Sequence, residues 1–233
     1  MNKHLKRFKV LYLILGIIVL VVIGLVVANT MPKNLGVKYT KADLDNVNTK
    51  LGITYASLPS SNNPASSLMI SGKKPLDSQL TENELTALLN QPSSQWKNYP
   101  ISDVQFKINS DGSIEMTGKI IASRFDAYTK ATNMPEKYTS LVADKVNLVP
   151  VNPSFDYKGT YEIKNGKLQG DVTELKVGQL TVPKDWTDNN KDFITGFIED
   201  RINSAGMTVD SATFTDGKLD IQGSVPQTIS FEK

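Results

Sequence analysis

The stretch FDYKGTYEIKNGKLQGDV, residues 155–172, carries apolar side chains at Phe155, Tyr157, Tyr161 and Ile163, then Asn165-Gly166, then Leu168 and Val172. A period of two places these side chains on one face of an extended chain, and Asn-Gly accepts the positive φ angles of a tight turn. The stretch therefore predicts two antiparallel strands with one buried face. Beyond it the apolar phase slips by one to Leu175 and Val177, and Leu180 and Val182 follow Gly178. Bulges near Thr173 or Glu174 and near Gly178 are expected to re-aim the strand.

The same grammar recurs on both sides. Val104, Phe106 and Ile108 alternate before Asn109-Ser-Asp-Gly112, with Ile114, Met116 and Ile120 after it. Val209, Ala212 and Phe214 precede Thr215-Asp-Gly217, Leu219, Ile221 and Val225 follow, and Ile229 and Phe231 suggest a last strand. The turns are unevenly spaced, so shared hairpin chemistry accounts for the likeness better than an internal repeat. Between the last two hairpins, after Pro183 and a Thr187 or Asp188 cap, Phe193, Ile194, Phe197, Ile198 and Ile202 form a helical stripe that Gly206 closes.

Shorter helices precede these elements. Thr40 to Asp43 and Thr81 to Glu84 read as capping boxes, the first opening onto Leu44, Val47 and Leu51, the second onto Leu85, Leu88 and Leu89 with Pro92 as its end. Helical spacing returns at Phe125 and Tyr128 and at Tyr138, Leu141 and Val142, with Pro135 in the first turn of that second piece. Ser57 to Ser67 is rich in Ser, Asn and Pro and reads as a tether. The alternative is an ordered loop on one continuous domain, because Leu68, Met69 and Ile70 follow at once as a strand.

The chain opens on VLYLILGIIVLVVIGLVVA, residues 10–28, which has no charge in it. As a helix rising about 1.5 Å per residue it reaches ~28 Å, matching a hydrocarbon core about 30 Å thick. Lys3, Lys6, Arg7 and Lys9 precede it, so residues 1–9 are expected in the cytoplasm and everything from Asn29 onward outside. A cleaved signal peptide is the competing reading; the length of the run and the lack of an A-x-A site argue against it. The expected organisation is a cytoplasmic tip (1–9), a transmembrane helix (10–28), a short helix and polar tether (29–67) and an exported α+β domain (68–233). In that domain a curved antiparallel sheet packs on the amphipathic helix Asp188–Asn203.

The formal charge is +2, less than the cytoplasmic tip alone supplies, so the exported part is slightly acidic and carries no nucleic-acid footprint. Cysteine is absent and the only histidine is His4. These two absences exclude, for the exported part, disulfides, thiolate nucleophiles, a Ser-His-Asp triad and His- or Cys-ligated zinc. Ser71-Gly-Lys-Lys74 matches an S-x-x-K string, but the K-T-G and S-D-N elements that accompany it in serine enzymes are missing. No cofactor and no catalysis are expected.

The candidate ligand surface is apolar: Leu180, Val182, Trp186, Phe193, Phe197 and Ile198, set to line a groove between strand and helix. A stripe such as Phe193–Ile202 is more often plain core than the floor of a lipid pocket, so both readings stay open. Trp96 and Tyr99, between Pro92 and Pro100, are candidates for a protein partner in the envelope, although large aromatics at such junctions more often plug a core edge than line a ligand mouth.

Residues 166–202, with the strand LKVGQLTVP, the long helix and then FTDGKLDIQGSV, resemble the YpmS-like family of membrane-anchored proteins of Gram-positive bacteria and, more distantly, LmeA-like lipid-binding proteins. The resemblance covers the anchor, the LTENELTALLN helix and most of the exported domain, and leaves residues 29–68 unmatched. It implies a tubular-lipid-binding-like fold, an apolar groove, and a lipid-handling role in envelope maintenance without catalytic residues.

Overall fold

A computed structural model describes residues 31–139, 152–178 and 180–233. The apolar run 10–28, and the helix expected to continue through Leu141 and Val142, lie outside the described residues. Helix α1 (Lys41–Leu51) is followed by β1 (Thr54–Leu58), β2 (Leu68–Ser71), β3 (Lys74–Thr81), α2 (Glu82–Gln95), β4 (Ile101–Ile108) and β5 (Ile114–Ile120). Then come α3 (Phe125–Ala131), α4 (Glu136–Thr139), β6 (Ser154–Lys164), β7 (Lys167–Val177), β8 (Leu180–Thr181), α5 (Lys184–Asn189) and α6 (Lys191–Ser204). The chain closes with β9 (Thr208–Thr215), β10 (Lys218–Val225) and β11 (Thr228–Glu232).

The architecture is α+β, with a large antiparallel sheet ordered β3-β10-β9-β6-β5-β4; β7 lies along β6, with β8 beyond it. All three hairpins are present. Asn165 and Gly166 take φ of 54° and 71°, and Asp216 and Gly217 take 47° and 74°, the left-handed pair a two-residue turn requires. Lys158 pairs with Glu174 and Gly159 with Val172, which leaves Thr173 as the extra residue of a bulge; its Oγ1 donates to the Lys158 carbonyl at 3.0 Å. Gly178, at φ 60°, lies in the turn between Val177 and its partner Leu180 rather than in a second bulge.

The core of this sheet is organised by α2. Its capping box is complete: the Thr81 N–H donates to Glu84 Oε2 at 2.8 Å and the Glu84 N–H to Thr81 Oγ1 at 3.2 Å. Leu85, 7 % exposed, joins Leu76 and Leu80 of β3, Phe106 and Ile108 of β4, and Ile221 of β10 in one apolar cluster. Pro92, expected to end α2, sits inside it. The carbonyls around the proline are taken up by Ser93 Oγ to Asn90 O at 2.7 Å and Ser94 Oγ to Gln91 O at 2.8 Å, while the Trp96 N–H closes the final turn on Pro92 O.

Among the described residues, strand β4 has a neighbouring strand on one side only, and α2 completes the other. Asn90 Oδ1 accepts from the Val104 N–H at 2.9 Å and its Nδ2 donates to Val104 O at 2.8 Å; Thr86 Oγ1 accepts from the Phe106 N–H at 3.0 Å; Glu82 Oε2 accepts from the Ile108 N–H at 3.1 Å. The match is metrical. Four helical residues rise about 6 Å and two strand residues about 6.6 Å, so positions 82, 86 and 90 face 108, 106 and 104 in turn.

The boundary expected at Ser57–Ser67 is not found, and residues 41–67 belong to the folded domain. Val47 is fully buried and Leu51 is 4 % exposed in the same core as α2. β1 pairs in parallel with β11, and β2 pairs antiparallel on its other side, in a second, three-stranded sheet. The Ser57–Ser67 loop is tied down by Glu232, whose fully buried carboxylate accepts from the Ser61 N–H at 2.7 Å and from Lys97 Nζ at 2.5 Å. Polar composition mimicked a tether because these loop residues satisfy one another and Glu232 instead of burying apolar surface.

Lys97, and then the Ser61 N–H, hold the Glu232 carboxyl below its ordinary value of 4.5. A carboxyl lowered on folding contributes stability that is full above pH 4.5 and lost as the pH falls through its folded value. Urea midpoints of the wild type and Glu232→Gln, compared from pH 7 to 3, should therefore differ most at pH 7 and converge at the acid end.

Candidate functional site

The expected helix Asp188–Asn203 is two helices. α5 ends at Asn189, and Asn190, at φ −119° and ψ 23°, breaks the chain before α6 begins at Lys191. α6 lies against β7 and β9, and Glu199 Oε1 accepts the Leu168 N–H on the open side of β7 at 3.1 Å. No residue of α6 is fully buried; Phe193, Ile194, Phe197 and Ile198 are all partly exposed.

Tyr138 of α4 organises this stripe. Its ring, 3 % exposed, stands edge-on to Phe193 at 5.1 Å and to Phe197 at 5.0 Å, and its hydroxyl donates to Asp200 Oδ2 at 2.8 Å. Lys137 Nζ reaches the same oxygen at 3.2 Å. The Tyr138 hydroxyl, then Lys137, hold the Asp200 carboxyl below its ordinary value. Arg201 lies over Phe197, its guanidinium carbon 5.7 Å from the ring centre and its Nη1 donating to Thr132 Oγ1 at 3.1 Å.

The sequence candidates are brought together only in part. Phe193 and Phe197 meet around Tyr138; Leu180, Val182 and Ile198 are half-buried; Trp186, on α5, is 43 % exposed. An open cleft of about 380 Å³ lies at the C-terminal end of α6, lined by Leu68, Ile70, Ala131, Thr132, Asn133 and Ser204. It draws on three separate segments, and no spacing in the sequence signals it.

Trp96 and Tyr99 do not form an exposed docking patch. Trp96 is 3 % exposed, stacks on Phe231 at 5.8 Å and lies 5.5 Å from Tyr128 and 6.2 Å from Tyr99. Burial also raises the Tyr99 hydroxyl above its ordinary pKa. These rings are committed to one another, joining α2 and α3 to the three-stranded sheet. The S-x-x-K string is equally committed: Lys74 Nζ donates to the Gly52 carbonyl. Among the described residues no group of three or more acids or histidines is placed to hold a metal. No family profile, characterised protein or solved structure matches the chain.

Proposed function

We propose that the chain is a membrane-anchored, extracytoplasmic, non-catalytic domain that binds an acyl chain or a lipid along α6 and serves in maintenance of the cell envelope. The apolar run 10–28 supplies the anchor, as its length and flanking charges indicate. The observation that carries the lipid reading is the stripe of α6: four large apolar side chains in register, none sealed, beside the Tyr138 ring. Apolar side chains left half-covered in a row offer an alkyl chain contact along its length, each methylene covered contributing about 0.8 kcal/mol. This also keeps the curved-sheet, tubular-lipid-binding-like resemblance as the fold it would use.

Native mass spectrometry of the purified full chain tests it. Bound acyl species are expected on the wild type and reduced about tenfold in Phe197→Asp, the effect of ~1.4 kcal/mol of lost contact. A wild type that takes up no lipid would sink the reading.

One observation favours a second reading, a cell-surface interaction module without a ligand cavity. Val47, Leu51 and Leu85 pack solidly with Leu76, Leu80, Phe106 and Ile108 in one buried cluster, which favours a partner that meets the outer surface.

A further inference from the structure

Among the described residues, contacts with the domain begin soon after the apolar run. Lys33 Nζ pairs with Glu115 Oε2 at 3.1 Å, the Leu35 N–H donates to Gln105 Oε1 at 2.9 Å, and Val37 is 5 % exposed. Residues 33–37 thus lie as a strap over β4 and β5. Strand pairing identifies the face they cover: Lys107 is opposite Glu115, Glu115 opposite Lys158, and Lys158 opposite Glu174. Paired residues point the same way and neighbours along a strand point oppositely, so this row lies on the side of the sheet away from Phe106, Ile108 and Ile114.

The row alternates in sign, and Lys158 Nζ also reaches Glu115 Oε1 at 3.5 Å. Burial pushes the Glu115 carboxyl up, but hydrogen bonds from Lys33 and Asn109 and the nearby charges of Lys33 and Lys158 hold it below its ordinary value. The ion pair that fastens the strap is therefore charged at neutral pH.

Only residues 29–32 separate Lys33 from Ala28, the end of the apolar run. Five Cα steps of at most about 3.6 Å reach ~18 Å, and roughly 5–8 Å of that is headgroup layer. Resting on the proposed reading of residues 10–28 as a retained membrane helix, we propose that the strapped outer face of β4 and β5 is the membrane-facing surface of the domain, lying on the headgroups of the bilayer. A row of alternating lysines and carboxylates suits a zwitterionic headgroup layer, which carries both signs itself. Met31, 79 % exposed, and Tyr39, 43 % exposed, bracket the strap, and tyrosine is a side chain enriched at membrane–water interfaces. The domain is thereby held at the bilayer instead of being extended toward the wall.

The absence of cysteine makes single-cysteine labelling specific. The full chain is reconstituted into phosphatidylcholine vesicles bearing a headgroup-attached nitroxide, with a fluorophore at Lys107→Cys or, on the exposed end of α2, at Ser94→Cys. The Lys107 label is expected to be quenched severalfold more than the Ser94 label, and a long glycine-serine insert after Thr30 should abolish the difference by freeing the domain. Protein that floats with the vesicles but shows equal quenching at the two positions, or stronger quenching at Ser94, overturns the assignment of the face. Protein that does not float with them overturns the membrane anchor itself, and this inference with it.

Discussion

Replacing Trp96 by alanine is expected to destabilise the protein by about 3–5 kcal/mol, the range for removing a buried Trp or Phe side chain. The indole is packed among Phe231, Tyr128 and Tyr99, and its Nε1 donates to Ser67 Oγ at 3.1 Å. Ser67 is fully buried and also accepts from Asn98 Nδ2 at 2.9 Å, so alanine leaves both a cavity and a hydroxyl short of one donor. Trp96→Phe helps to separate the two effects: it keeps most of the ring contact and forfeits the hydrogen bond with a small part of the packing, a loss of about 1–2 kcal/mol. Urea unfolding of the detergent-solubilised full chain measures both. If alanine cost no more than phenylalanine, the aromatic cluster would not be the joint between α2, α3 and the three-stranded sheet.

Asn90→Leu is expected to cost about 3 kcal/mol, although leucine is the better helix former. The side chain supplies both a donor and an acceptor to Val104 and a further donor to Thr86 O at 2.8 Å. Leucine would leave the Val104 N–H and carbonyl buried without a partner. A second consequence follows from the position of β4: Thr86 and Glu82 still cover Phe106 and Ile108, but the edge opens at Val104, so some concentration-dependent association should accompany the loss of stability. Urea titration and sedimentation velocity read the two effects. A variant as stable as the wild type would show that Asn90 merely covers the edge of β4.

The hairpins, their turn residues, the bulge at Thr173, both capping boxes and the last strand were legible because each depends on neighbours a few residues apart. β1 and β3 were not. TYASL is short and ambiguous in period, and KPLDSQLT buries only Leu76 and Leu80 along its length; both become strands because β11 and β10 offer them partners. The break at Asn190 was hidden for a related reason, since the polar residues around it are acceptable at a cap and within a helix alike. Of the candidate ligand residues, Phe193 and Phe197 were legible as a stripe, but Tyr138, which gathers them, lies more than fifty residues earlier. The Thr132, Asn133 and Ser204 cleft carries no local pattern at all.

Local spacing alone therefore determined the α+β class, the hairpins and the apolar run of residues 10–28 with its charge asymmetry, because these follow from periods of 2.0 and 3.6 and from transfer into lipid. Tertiary structure alone decided that residues 41–67 join the domain, that Trp96 meets Tyr128 and Phe231, that Lys33 to Val37 fasten the chain close to residue 28, and that Thr86 and Asn90 face inward. The last of these states the physical reason. A threonine and an asparagine on a helix read as a solvent face until an edge strand presents backbone N–H and C=O groups at matching intervals, and burial then becomes favourable because every polar group finds its partner.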